Sequence, residues 1–474
     1  MTHVVNSLQF EVICPDEDMS FNLRQNFGQT LQQEIAEIID EVCSENVGDN
    51  ELIKIDRISL DMGSFSRHTF GTDFKKVFSQ KFRSELAKKL SEITPAQRQA
   101  SRHLSNTETL LYFLSNGTLP WFADETTISM DETLQKAVAN QAAVLVDFFF
   151  RNRFEAKIWR RILWQLNDQS KQLVVSLSGD LKRAHEIILT LLHQIAEKLP
   201  ALKVLLNDEG SHEYQRVFAV IDDVIIENAE KIFSAPQNAK TPENIFRTHV
   251  EQIFSTNKIL AGQVSVELAN ITGASAATEL ALTGDIKKPE EHGGAAEQLF
   301  SGPVIEENIE KYSVKHAGLV LLAPFLKRFF AELNLLEGTA WKNHECAFKA
   351  VHLLKFLATG QQKVPEYAMV LEKILCSLPA DMPVPLNIVL EEKDIHEAES
   401  LLKAVIAHWN ILKNTSIEGL RETFIRRDGL VAKKDNGWQL QVERKTLDVL
   451  LDQIPWGYST ISLPWNSYLI FVEW

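Results

Sequence analysis

Residues 391–474 read EEKDIHEAESLLKAVIAHWNILKNTSIEGLRETFIRRDGLVAKKDNGWQLQVERKTLDVLLDQIPWGYSTISLPWNSYLIFVEW, and the hydrophobic period changes part-way along them. Glu397 to Lys413 carries Leu401, Leu402, Val405, Trp409 and Leu412 at helical spacing. Thr415 followed by Glu418 has the form of a capping box, so a short helix burying Leu420 and Phe424 is expected to start there and to stop at Asp428-Gly429. The period then becomes two. Trp438, Leu440 and Val442 face one way, and Gln439, Gln441 and Glu443 the other. Asn436-Gly437 just before is a two-residue hairpin signal. A short helix from Leu447 to Ile454 and two strands, Thr460 to Leu463 and Tyr468 to Trp474, complete an α+β module without catalytic geometry.

Outside this module the same reading gives a second one and a helical middle. Val4 to Cys14 and Glu51 to Met62 alternate like strands. Each precedes a helical stripe, the first through Phe27, Leu31, Ile35, Ile38 and Val42, the second through Phe74, Val77, Phe78, Phe82, Leu86 and Leu90. The order β-α-β-α predicts an N-terminal α+β module whose two strands need further partners. Thr107 to Leu114 is a short amphipathic helix ended by Asn116-Gly117. From Asp131 to Ser255 the pattern is nearly all helical with short breaks, which favours antiparallel neighbours. Residues 258–310 are rich in glycine and nearly free of aromatics, so too little apolar surface exists to offset ordering entropy. Beyond them, Leu319 to Leu336 reads as an apolar helix containing Pro324, Cys346 to Leu357 as one stopped by Gly360, and Pro365 as the start of one running to Leu378.

The expected fold class is mainly α with small α+β modules at both ends, a helical central region and a flexible linker. The expected domains are a β-α-β-α module at 1–95, a helical domain at 96–257, a flexible linker at 258–310, and a C-terminal helical domain at 311–474 ending in the small α+β module.

Composition narrows the function classes. A chain of 474 residues with 45% hydrophobic content can build more than one core. A net charge of −15 argues against a primary nucleic-acid binder; the longest basic runs are pairs such as Arg160-Arg161 and Lys433-Lys434. Four scattered cysteines (Cys14, Cys43, Cys346, Cys376) suggest reduced core thiols. Met1 to Cys14 lacks the pattern of a signal peptide, and no segment reaches 18 apolar residues, so a cytoplasmic protein without a membrane span is expected.

Candidate chemistry is sparse. His344, Cys346 and His352 could be drawn as a metal trio, but on one helix Cys346 points away from the other two. His185-Glu186 and His396-Glu397 lack the second histidine of a zinc-protease helix, and no phosphate loop or nucleophile elbow occurs. Asn116-Gly117-Thr118 and Asn270-Ile271-Thr272 are sequons without a secretory context. Trp121, Trp456 and Trp465 each follow a proline, which suggests rigid turns placing large apolar side chains in a core or interface rather than ligand stacking. No catalytic, cofactor-binding or metal-binding residue is assigned, no cofactor is implied, and the expectation is a protein that is not an enzyme.

Several motifs, in order, carry a resemblance. They are His316-Ala317-Gly318-Leu319-Val320-Leu321-Leu322-Ala323-Pro324-Phe325-Leu326, Ala350 to Leu354 with Ala358-Thr359-Gly360, and Pro365-Glu366-Tyr367 leading to Leu375-Cys376. Lys413 to Arg421, Val442-Glu443, Leu450-Leu451-Asp452, Ile454-Pro455-Trp456 and Leu463-Pro464-Trp465 follow. Nearer the start are Ile55-Asp56-Arg57, Leu60-Asp61, Leu111 to Leu114 with Gly117, and Leu119-Pro120-Trp121. Together these residues resemble the contractile injection system tape measure proteins, with His316 where that family usually has Asn. The resemblance implies a structural protein of a phage-tail-like contractile particle that sets inner-tube length. It implies as partners the inner tube protein, the baseplate hub and spike, and copies of itself in the tube lumen, with neither nucleic acid nor membrane. The protein would be made in the cytoplasm and incorporated into particles. The rival expectation is a cytoplasmic helical adaptor or assembly chaperone for the same particle.

Overall fold

The computed structural model describes residues 30–46, 57–65, 70–92, 95–120, 128–275, 311–412 and 414–474, with positions 5, 8, 11–13, 53, 55, 123 and 125. The chain divides into two compact units, residues 1–109 with 120–128 and residues 110–119 with 129–474. Among the described residues it is mainly helical, with the strands in the C-terminal part.

In the first unit, α1 (Thr30–Asn46) packs on α2 (Phe70–Glu92). Ile35, Ile39 and Val42 meet Phe74, Phe78, Phe82, Leu86 and Leu90, and the three phenylalanines stack along one face. The alternation of Ile53, Ile55, Ile58, Leu60 and Met62 is real as a packing pattern, since these residues lie against that core. Residues 57–65, however, form no strand. The expected strand over Val4–Cys14 lies largely outside the described residues. α3 (Pro95–Asn116) follows, its last turns belonging to the second unit.

The second unit continues with α4 (Met130–Arg151), α5 (Ala156–Gln165), α6 (Asp168–Leu177), α7 (Gly179–Ala196), α8 (Pro200–Asn207), α9 (His212–Glu227), α10 (Ala229–Ser234), α11 (Lys240–Ile253) and α12 (Lys258–Ser275). Helix α9 is the hub. Ser211 caps its start by accepting from the Tyr214 amide at 3.1 Å, and its buried Val217, Ile221, Val224 and Ile225 meet α5, α6, α7 and α11. Helix α12 lies inside the stretch expected to be a linker. Its Leu260, Ala261, Val264 and Leu268 are buried against the helices before it, and four such side chains within a few turns are enough to order a segment that also carries Gly262. The rest of the expected linker, 276–310, is outside the described residues.

The C-terminal part begins with β1 (Lys311–Val314) and a 3-10 helix, Ala317–Leu322. Pro324 then sits in the first turn of α13 (Ala323–Glu332), where its missing amide removes no intrahelical bond. The single helix expected over 319–336 is therefore two elements. The hairpin β2 (Leu336–Glu337) and β3 (Ala340–Trp341) leads to α14 (His344–Thr359), ended by Gly360 at φ +74°. Pro365 opens only a 3-10 turn, Glu366–Ala368, before the short α15 (Val370–Leu375). Helix α16 runs Glu392–His408, with Trp409 beyond its end yet fully buried. The next helix, α17 (Ile417–Leu420), is capped by Ser416, not Thr415. Ser416 Oγ accepts from the Gly419 amide at 3.0 Å, and the helix passes directly into a π turn, Arg421–Ile425.

β4 (Gly429–Lys434), β5 (Gly437–Val442), β6 (Thr460–Ile461) and β7 (Leu469–Glu473) join β1 in a sheet of order β1-β4-β5-β7-β6. All pairs are antiparallel except β5 with β7. The β4–β5 hairpin pairs Lys434 with Gly437, so its loop is Asp435-Asn436, one residue earlier than the Asn-Gly signal suggests. Gly437 is needed because a Cβ there would come within 2.2 Å of the Leu469 carbonyl oxygen on β7. Val431, Trp438, Leu440, Ile470 and Val472 face the core shared with α13–α16.

Candidate functional site

Within the second unit, the helical middle and the C-terminal part meet at a buried ionic junction. Helix α3 ends when Gly117 turns left-handed at φ +70°, which leaves the last carbonyls of the helix without amide partners. Arg161, on α5, fills that need: its Nη1 donates to the Leu114 and Ser115 carbonyls at 2.7 and 2.9 Å. Its Nε donates to Glu366 Oε1 at 3.1 Å, and its Nη2 to the Asp381 carbonyl. Lys373 Nζ, on α15, donates to the same Glu366 oxygen at 2.8 Å and to the Ala380 carbonyl at 3.0 Å. Gln165 completes the seam. It accepts from the Glu366 amide at 3.0 Å and donates to the Val384 carbonyl at 2.6 Å.

Arg161, Glu366 and Lys373 are all fully buried. Two cations share one carboxylate, so burial lowers the Lys373 pKa against the pull of Glu366. Gly117 is required here for space as well as backbone shape, since a Cβ would lie 2.3 Å from Glu366 Oε1 and 2.6 Å from Arg161 Nη2. Beside the junction, Phe113 and Tyr367 meet edge to face at 5.8 Å.

A second cluster of charges lies deeper in the C-terminal part. Lys355 on α14 donates to His316 Nδ1 at 2.9 Å and to the Ala368 carbonyl, with Glu372 at 3.4 Å. Burial, with Lys355 beside it, pushes the His316 pKa down to about 3, so the ring is a neutral acceptor for the lysine. Arg421 and Arg426 close the end of α14. Arg421 bonds the Phe356 and Leu357 carbonyls, Arg426 those of Ala358 and Thr359, and Glu418 pairs with both guanidiniums. Gly318 lies so close to this segment that a Cβ would strike the Phe424 carbonyl at 1.7 Å.

The motifs quoted from the sequence thus contact one another. Leu111–Gly117 meets Glu366-Tyr367, His316 meets Lys355, and the Arg421 segment holds Phe356 to Thr359. A family model described as contractile injection system tape measure protein matches residues 2–474. The chain belongs to that family. No curated protein and no solved structure matches it.

The other residues of this tape measure family member singled out above take bland positions. His352 Nε2 meets the Pro385 carbonyl at 2.8 Å, while His344 and Cys346 lie at the start of α14, and the three are not brought together. Among the described residues no group of three or more His, Cys, Asp or Glu is placed to hold a metal ion. His396 is exposed beside Glu397. Trp456 donates to the Leu321 carbonyl at 3.0 Å and meets Phe325 edge to face; Trp465 donates to the Leu375 carbonyl at 2.9 Å and packs on Phe330 and Trp341. Trp121 lies outside the described residues. No helix among the described residues is long and apolar enough to cross a membrane.

Sequence reasoning missed Arg161, Glu366 and Lys373 as a set, and it missed Asp222. The last sits on α9 facing His185 of α7, with Oδ1 3.9 Å from Nε2, and neither atom has a hydrogen-bond partner. Burial, with Asp223 adding to it, pushes the Asp222 pKa up to about 7 against the opposing charge of Lys171; burial lowers that of His185. Lys171 itself is taken up by Asp223 and Asp168, at 2.5 and 2.9 Å.

Proposed function

We propose that this tape measure family member is a structural component of a contractile injection particle that fixes the length of the inner tube. The observation that carries the reading is the match of the family model to essentially the whole chain, residues 2–474. In this reading the C-terminal part anchors at the baseplate hub and spike, and the region before it spans the lumen of the inner tube protein together with further copies of the chain. The dense wiring around Glu366 and Arg421 supports an anchoring role, because a part that bears assembly load needs a fixed shape. The protein is made in the cytoplasm, carries no catalytic role and joins the particle as it forms.

Deletion tests the length-setting step. Removing residues 276–310 shortens the tube by about 50 Å if the segment is helical in the particle, and by up to about 115 Å if it is extended. Removing β4 to β7 abolishes assembly instead. Electron microscopy of both particles decides, and unchanged tube length from the first deletion removes the ruler mechanism for that segment.

One observation favours a second reading, an adaptor or assembly chaperone. Residues 110–119 and 129–474 pack as one unit, and among the described residues no unbroken helix lying wholly within it exceeds 18 residues, α4 being interrupted at Gln141, whereas a ruler would be served by one long tract. Purified particles separate the two. A tape measure remains in them at a few copies each, and a chaperone is absent.

A further inference from the structure

The turn joining α4 to α5 presents aromatic rings to solvent. Phe150 is 62% exposed and Phe154 52%, and Val146, one helical turn before Phe150, is 43% exposed. Arg153 lies over both rings, its guanidinium carbon 4.4 Å from the Phe150 centroid and 5.0 Å from that of Phe154. Its Nη1 donates to the Phe150 carbonyl at 2.7 Å, which holds the side chain across the turn. The turn is also pinned from below. Trp159 Nε1 donates to the Arg153 carbonyl at 3.0 Å, and that indole is buried against Phe149 and Phe233. The patch is therefore preformed, and a partner meeting it has little ordering entropy to overcome.

Its charge is opposite to that of the chain. Residues 151–161 hold Arg151, Arg153, Lys157, Arg160 and Arg161 against the single acid Glu155, in a chain of net charge −15. Arg151 pairs with Asp147, Lys157 with Asp381, and Arg161 is consumed by the junction. Arg153 and the exposed Arg160 have no carboxylate partner among the described residues. Phenylalanine and arginine are both enriched at protein interfaces, and arginine is among the side chains that carry most of the binding energy there. What this patch lacks is an apolar group flanked by carboxylates.

From this we infer that the Phe150–Arg153–Phe154 turn is a docking surface for the acidic surface of a second copy of this chain. Acids outnumber Lys and Arg by 64 to 49, so another copy offers the carboxylates that Arg153 and Arg160 lack. The contact joins unlike surfaces, which leaves the second copy's own turn open to a third, so copies add in series or close into a ring. The inference rests on the part of the functional reading in which copies of the chain associate, and not on length setting.

Sedimentation velocity of the full chain over a concentration series tests it. The wild type is expected to sediment increasingly above monomer as concentration rises. Arg153→Glu with Phe154→Ser is expected to weaken association about tenfold or more, the effect of losing a hot-spot residue. Val204→Ser, which changes a 70% exposed side chain on α8, serves as the control and associates like wild type. Thermal unfolding checks that each variant is folded, and Phe150→Ser replaces the double variant if that one is not. A wild type that stays monomeric throughout, or a folded variant that associates as tightly as wild type, overturns the inference. Tube length in particles built with the variant is scored separately and bears only on the length-setting reading.

Discussion

The junction around Glu366 and the Asp222–His185 pair both bury ionisable groups in the second unit, and they settle the cost in opposite ways. At the junction each cation finds carbonyl oxygens as well as the shared carboxylate, so the donors of both are met in the interior. Between α7 and α9 the facing atoms find no partner, and the carboxyl answers by holding its proton up to about pH 7. Backbone geometry makes the difference. The junction lies where α3 ends and the chain from Glu366 to Val384 turns repeatedly, so free carbonyls are at hand. Asp222 lies mid-helix, where the carbonyls are already used.

The largest effect is expected from Glu366→Ala. It leaves two buried cations facing each other and should destabilise the full chain by about 3–5 kcal/mol in urea unfolding. A loss under about 1 kcal/mol would mean that carbonyls alone hold Arg161 and Lys373.

At the other site the sign reverses. The folded-state pKa of Asp222, about 7, lies above its ordinary 3.8, so its contribution is fully present below about pH 4 and is lost as pH rises through about 7. Asp222→Asn should therefore raise stability at pH 8 by up to about 4 kcal/mol, three pKa units at about 1.4 kcal/mol each, and change little at pH 4. His185 is present in both proteins, so the difference isolates the carboxyl. Equal stabilities at pH 8 would show that the carboxylate is paired after all.

Returning to the junction, Gly117→Ala should cost about 1–3 kcal/mol from the left-handed backbone alone, before any contact with Glu366. Combined with Glu366→Ala, the loss should be less than the sum of the two, because the crowding oxygen is gone.

The smallest effect concerns neither site and sharpens the contrast by supplying an exposed reference. Ser416→Ala should cost about 1 kcal/mol by removing the cap of α17, while Thr415→Ala should stay within a few tenths. The reverse order would return the cap to Thr415.

What could be read from the sequence was local. The β4–β5 hairpin follows from Asn436-Gly437 and period-two residues, and the left-handed stops at Gly117 and Gly360 follow from glycine after an apolar stripe. Adjacent capping residues were harder. Thr415 and Ser416 are both able caps, and only the approach of the Gly419 amide selects one. Pro324 can end a helix or begin one, and the 3-10 turn before it decides for a beginning. β1 is four residues without a pattern and exists only by pairing with β4, more than a hundred residues away. The junction was illegible for the same reason. Nothing near Arg161 in sequence distinguishes it from the exposed Arg160.

Arg161 and Glu366 are 205 residues apart in the chain. At ribosomal speeds of about 5–20 residues per second, Glu366 is made about 10–40 s after Arg161. Throughout that interval the helices around Arg161 rely on their own apolar contacts, such as Trp159 against Phe149 and Phe233. The junction thus cannot form until the chain from Glu366 to Val384 has been made, and its closure ties the middle helices to the first half of the C-terminal part before β4 to β7 exist.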